Sequence, residues 1–195
     1  ALGHETIAAL LAALDQVEAD GADAVVLAGR PGRFSAGFDL TVMQAGPAEA
    51  QAMLKAGVDL FLRLYLFPRP VVAACTGHAI AAGAILLLSS DVRVGAAGEF
   101  KIGLNETSIG AVLPPFALAL ADDRLSKRHQ TAAIIQAELY DPIGAVDAGF
   151  LDLVVEPSAL MEDTLAEATR LAALPNAAYA GNKVAIRTPF IERMS

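Results

Sequence analysis

The stretch GRFSAGFDL, Gly32 to Leu40, sets two glycines, a serine and a carboxylate directly behind the apolar run ADAVVLAG. Several chemistries use small residues at the end of a strand. A phosphate-binding loop needs G-x-x-x-x-G-K-[ST], and Gly32 and Gly37 have its glycine step. Phe38 and Asp39, however, stand where Lys and Ser or Thr are required, and an acid there repels phosphate. The dinucleotide pattern G-x-G-x-x-G is absent, and Ser35 lies in G-x-x-S-x-G rather than in the G-x-S-x-G of a nucleophile elbow. Two readings remain. The stretch is a connecting surface turn, or its small residues let the chain bend sharply and aim backbone N–H groups at a ligand.

A second stretch, TGHAIAAGA from Thr76 to Ala84, has the same layout: a short apolar run before it, a helical pattern after it. The N–H groups at Ala81 to Gly83 are then first-turn donors with no partner inside their helix. Two such turns at the ends of two strands of one parallel sheet face the same crevice, where their N–H groups can converge on one oxygen.

The elements that must position these turns follow from periodicity. Leu10, Leu11, Leu14 and Val17 predict an amphipathic helix over 5–19. Residues 24–29 and 71–75 are short apolar runs, as strands covered on both faces should be. A long helix is predicted over 47–68, stopped by Pro68 and Pro70, and the helix after the second turn is apolar nearly all round and belongs in the interior. VRVGAA and EFKIG are expected as strands and LNETSIGAVLPP as a loop. Helices follow at 114–125, 127–139, in DPIGAVDAG, at 157–174 and from 176 to about 188, with a short LDLVV strand between. Alternating strand and helix argue for an α/β fold with a parallel sheet and helices added at the end. The domain division is 1–140 for the α/β core and 141–195 for a C-terminal helical region.

Composition limits the function classes. A net charge of −8 lacks the basic footprint of sequence-independent nucleic-acid binding. The single cysteine, Cys75, forms no internal disulfide, and His4, His78 and His129 have no metal-ligand spacing. Apolar runs are interrupted before they reach membrane-span length and no signal segment opens the chain, so a cytoplasmic protein is expected. The 55% apolar content predicts extra surface to hide in an oligomer. The chain opens without Met and enters a helix almost at once, so it is expected to belong to a longer chain whose N-terminal strands lie outside it.

FSAGFDL, ACTGHAIAAGAILLLSSDVRVG, FKIGLNETSIGAVLP and AVDAGFLDLVV, in this order and spacing, resemble the crotonase superfamily, the enoyl-CoA hydratase/isomerase family, over about residues 5–190. The resemblance implies a crotonase-like spiral of repeated ββα units with a C-terminal helical trimerisation region. It implies a homotrimer or dimer of trimers, an acyl-CoA substrate and no separate cofactor, coenzyme A being part of the substrate. Carried over by position, the backbone N–H groups of Phe38 and Ala82 form the oxyanion hole for the thioester carbonyl. Ser35, Ala36 and Leu40 border the coenzyme. Arg30 and Arg33 flank the same loop, either as plain surface charge or facing its phosphates.

In the family's hydratases one glutamate lies two residues after the second oxyanion residue and another in a later segment. Here the first position is Ile85; the second matches Glu106, the expected general acid/base. One carboxylate suits moving a double bond from position 3 to position 2 of an acyl-CoA, whereas syn hydration benefits from two. The resemblance therefore implies 3,2-enoyl-CoA isomerisation, with 2-enoyl-CoA hydration as the alternative. A catalytically silent acyl-CoA binder and a different crotonase reaction are further readings. Tyr65, Tyr140, Asp39 and His78 are other polar candidates. Lys183 and Arg187, one helical turn apart, are expected on an exposed helix face or opposite a neighbour's coenzyme.

Overall fold

The computed structural model describes residues 1–192. Among these residues seven strands, β1 (Val25–Ala28), β2 (Gly32–Ser35), β3 (Val71–Cys75), β4 (Gly77–Ile80), β5 (Val92–Ala96), β6 (Ile102–Gly103) and β7 (Leu153–Val155), form two parallel sheets. One has the order β1-β3-β5-β7 and the other β2-β4-β6. The chain thus enters the first sheet with one strand and steps at once into the second with the next. This is the repeated ββα crotonase-like architecture expected from the resemblance.

Among the described residues the eight α-helices are α1 (His4–Ala19), α2 (Leu40–Ala45), α3 (Pro47–Tyr65), α4 (Ala82–Leu88), α5 (Pro115–Arg124), α6 (Pro142–Ala148), α7 (Leu160–Ala172) and α8 (Asn176–Glu192). The α3 helix starts with Pro47 at its first turn, where a missing N–H costs nothing, and its Met53, Gly57, Leu60, Phe61 and Leu64 stripe faces inward. Every residue of α4 is buried, as its all-apolar sequence requires.

Strand β3 shows why both faces of the larger sheet are apolar. Val71, Ala73 and Cys75 point into the main core with α3 and α4, while the alternate Val72 and Ala74 join Val94, Ala96 and the α7 residues Leu160, Ala168 and Leu171 in a second cluster. The period-2 pattern is invisible in VVAAC because both sides need small apolar residues.

Three expectations are corrected. The stretches around Gly32 and Gly77 are not simply turns: Gly32–Ser35 and Gly77–Ile80 are β2 and β4, paired in parallel with Gly32 opposite Gly77. Residues 127–139 form no continuous α-helix; a π-helical turn spans Thr131–Ile135 and Ala137 takes a positive φ of 54°. Within LNETSIGAVLPP, Glu106–Ile109 form a 3-10 turn. Among the described residues no helix is long and apolar enough to cross a membrane.

Candidate active site

The two glycine-containing stretches end side by side. After β2 the chain turns at Gly37, whose φ of 92° is a conformation that L side chains rarely adopt. A Cβ on Gly37 would lie 3.2 Å from the Ala81 Cβ and 3.4 Å from the Ala82 nitrogen, so the backbones of the two loops pass in van der Waals contact. Ser35 is buried; its hydroxyl accepts the Gly37 N–H at 3.3 Å and so shapes the turn. Ala36 and Leu40 are exposed on either side.

Phe38 is held in a short parallel bridge with Leu2. The bridge uses the Gly37 carbonyl, which accepts from the Leu2 N–H at 2.8 Å, and the Asp39 N–H, which donates to the Leu2 carbonyl at 3.1 Å. Alternation along an extended chain therefore turns the Phe38 N–H to the opposite side.

Ala82 heads α4. The Ala84 and Ile85 N–H groups fold back onto the Ala81 carbonyl at 2.9 and 3.1 Å, whereas Ala82 has no acceptor within its helix. Among the described residues neither the Phe38 nor the Ala82 N–H has a hydrogen-bond partner. Ala81 makes the corner with φ 55° and ψ −124°, a strained conformation for a residue with a Cβ. Gly83 is required by space: a Cβ there would lie 2.8 Å from the Ser35 carbonyl carbon.

The third component is tied to the second. The Ala81 N–H donates to the Gly103 carbonyl at 3.0 Å, and Glu106 follows Gly103 by three residues, at most about 11 Å along the chain. The Glu106 side-chain Oε2 is buried with no hydrogen-bond partner. Burial pushes its pKa up; the backbone N–H groups of Glu106 and Asn105 pull the other way and do not overcome it. An apolar open groove of about 330 Å³, bordered by Thr107, Val112, Leu113 and Ile135, lies beside this turn. The structure thus sets Phe38 beside Ala82, with Glu106 three residues beyond the Gly103 that binds Ala81, and Ser35, Ala36 and Leu40 on the first loop.

The other polar candidates have different partners. Asp39 caps α2, accepting from the Thr41 N–H at 2.8 Å. His78 Nδ1 accepts from the Lys101 N–H at 2.9 Å. The Tyr65 hydroxyl donates to Asp123 at 2.5 Å, and the Tyr140 hydroxyl is buried without a partner, its ring packed on Phe150. Arg33 and Arg30 are exposed.

Lys183 and Arg187 do not lie on an exposed helix face. They are buried, 6% and 7% exposed, and converge on Asp91 at 2.5 and 2.9 Å. Lys183 also donates to the Phe67 and Arg69 carbonyls, which uses all three of its N–H bonds. Burial lowers its pKa to about 8 although Asp91 opposes the shift. These residues line an open cavity of about 520 Å³ with Tyr179 and Leu174. Asp91 accepts from the Val71 N–H, at the start of β3, so this larger cavity lies at the strand beginnings. The paired loops follow the strand ends, where parallel α/β sheets bind ligands. The separation of 92 positions between Asp91 and Lys183 left no local pattern from which the pair could be read.

A family model described as enoyl-CoA hydratase/isomerase matches residues 1–194. Human mitochondrial enoyl-CoA delta isomerase 1 is 30% identical over 197 residues, covering 99% of this chain and 65% of that protein. A Bacillus subtilis protein named a probable enoyl-CoA hydratase is 31% identical over 158 residues, covering 79% of this chain and 59% of its own length. The chain therefore spans less than two-thirds of either relative. A crystal structure of an enoyl-CoA hydratase/isomerase family protein from Pseudomonas syringae superposes with a TM-score of 0.97 at 41% identity, over 100% of this chain and 84% of that one.

Proposed function

The chain belongs to the enoyl-CoA hydratase/isomerase family of the crotonase superfamily, and from that premise we propose that it isomerises 3-enoyl-CoA to 2-enoyl-CoA. The thioester carbonyl oxygen accepts from the Phe38 and Ala82 N–H groups. Glu106, as carboxylate, removes a proton from C2; the C2–H electron pair moves to make the enolate, whose negative charge the two donors stabilise. Glu106 then returns the proton at C4 while the double bond moves from C3–C4 to C2–C3. No atom is gained or lost, and the base ends as it began. Coenzyme A enters as part of the substrate, and Ser35, Ala36 and Leu40 border it.

The observation that carries this reading is Ile85. It is 2% exposed inside α4, at the position where the family's hydratases place their other glutamate. A buried sec-butyl side chain neither activates water nor carries a proton. Asp39, His78 and Tyr65 are engaged elsewhere, whereas Glu106 keeps a buried, unpartnered carboxylate oxygen on the segment tied to Ala81 through Gly103. The raised pKa suits a shuttle that must both take and return a proton near neutral pH.

Assembly as a homotrimer or dimer of trimers is part of the same reading. It is supported by Ile109, Val112 and Ile135, which leave a cluster of apolar side chains in water, Val112 at 90% exposure.

The test is turnover of 3-enoyl-CoA and 2-enoyl-CoA of several chain lengths by the full-length protein and its Glu106→Gln variant, with acyl-CoA binding measured for both. Isomerisation that falls by about 10²-fold or more in the variant while binding persists supports the proposal. Hydration of 2-enoyl-CoA without isomerisation supports the hydratase alternative. Binding without any turnover in either protein makes the chain a silent acyl-CoA binder.

A further inference from the structure

The two proposed oxyanion donors are held in different ways. Ala82 is fixed by α4, whose first turn is locked through the Ala81 carbonyl. Phe38 follows Gly37, a residue with wide backbone freedom, and heads no helix. The direction of its N–H depends on the Gly37 ψ and Phe38 φ angles. The Leu2 bridge restrains one side of the residue; its ring must restrain the other.

The ring lies on α3, where the helix has no side chain. A Cβ at Gly57 would lie 2.6 Å from Phe38 Cε1 and closer still to Cζ, so the glycine is the socket that seats the ring. Phe61, one turn further along α3 and 1% exposed, meets the Phe38 ring at 6.2 Å between centroids with a 60° tilt. Phe61 in turn stacks on Phe116 at 5.5 Å and 10°. Phe116 is the second residue of α5, the helix that follows the Glu106 turn through Pro114 and Pro115. Three rings therefore connect the donor at Phe38 to the helix beyond the base.

Resting on the reading of Phe38 as an oxyanion donor, we infer that Gly57 and Phe61 are positioning residues for the reaction: the Gly57 socket and the Phe38–Phe61–Phe116 ladder set the aim of the Phe38 N–H. Ridge-forming side chains are the rule on an inward helix face, and a glycine in the middle of α3 weakens the helix relative to alanine. The seat it leaves for the ring offsets that cost.

The test uses full-length Gly57→Ala and Phe61→Leu proteins, with Leu160→Ala in the separate α7 core as a control for general destabilisation. The direct readout is the infrared carbonyl stretch of bound butyryl-CoA labelled with ¹³C at the thioester, which falls in frequency as the oxyanion donors polarise it. It is read beside kcat, KM and Tm. In both α3 variants the stretch is expected to move back toward its value in water and kcat to fall about 10- to 100-fold, with KM changed by less than about threefold. Leu160→Ala should lower Tm and leave the stretch in place. An unchanged stretch in folded α3 variants, or a loss confined to KM, overturns the inference. If Gly57→Ala does not fold, Phe61→Leu decides alone. A wild-type protein that polarises the thioester but does not isomerise refutes the reaction assignment while the stretch still judges the ladder. A wild-type protein that does not polarise it overturns both.

Discussion

Ala81 is the residue at which the site departs furthest from ordinary backbone geometry, with φ 55° and ψ −124° at the corner that presents the Ala82 N–H. Conformations of this kind cost of order 1–3 kcal/mol for a residue with a Cβ, and glycine adopts them freely. Ala81→Gly should therefore raise Tm by roughly 2 °C after allowance for the greater freedom of glycine in the unfolded chain, as calorimetry will read. Glu106 carries the pH dependence. Its pKa lies above the ordinary carboxylate value and the base must be ionised, so the acid limb of kcat/KM should fall above pH ~4.3. The sign for stability is opposite to that for activity: the fold favours the protonated acid, a contribution fully present below the ordinary value and lost as pH rises through the raised one. At neutral pH the Glu106→Gln protein should thus melt no lower than wild type while its turnover is lost, a comparison that separates a chemical from a structural role.

At the scale of elements, α8 is attached to the body by charge as well as by packing. Asp91, at the start of β5, receives Lys183 and Arg187 from α8 and the Val71 N–H from β3, and the Arg187 guanidinium lies 4.2 Å from the Tyr65 ring centroid. Removing the one anion leaves two buried cations unpaired, which costs about 3–5 kcal/mol. Asp91→Ala should lower Tm by about 10 °C or more. Lys183→Met should lower it less, because Asp91 keeps Arg187 and the replacement fills the space with apolar atoms. Equal losses in the two variants would mean that packing, not the unpaired charges, sets the cost. The same scale explains why β2 and β4 escape a reading by propensity: GRFS and GHAI are short, glycine-led and half polar. They become strands because their partners in the second sheet satisfy their backbone groups.

For the whole molecule, the apolar surface at Ile109, Val112 and Ile135 predicts self-association, and sedimentation velocity of the full-length protein should give a mass well above one chain. Val112→Asp, a change at a side chain that touches little within its own chain, should reduce that mass without lowering the monomer's helicity. A monomeric wild-type protein would remove this surface as the reason for the high apolar content. The sequence by itself determined the α/β class, the buried α4, the two strand-end turns and, through four motifs in register, the family; the same motifs marked Phe38, Ala82 and Glu106 as the proposed site. These are legible because local periodicity, glycine placement and spacing are properties of neighbouring residues. It did not determine that the turns grow out of a second sheet, that Asp91 gathers Lys183 and Arg187, or that Gly57 seats the Phe38 ring. Each of these joins residues about 20 to 90 positions apart, whose pairing follows from burial and shape complementarity after the chain has folded, and no local pattern encodes it.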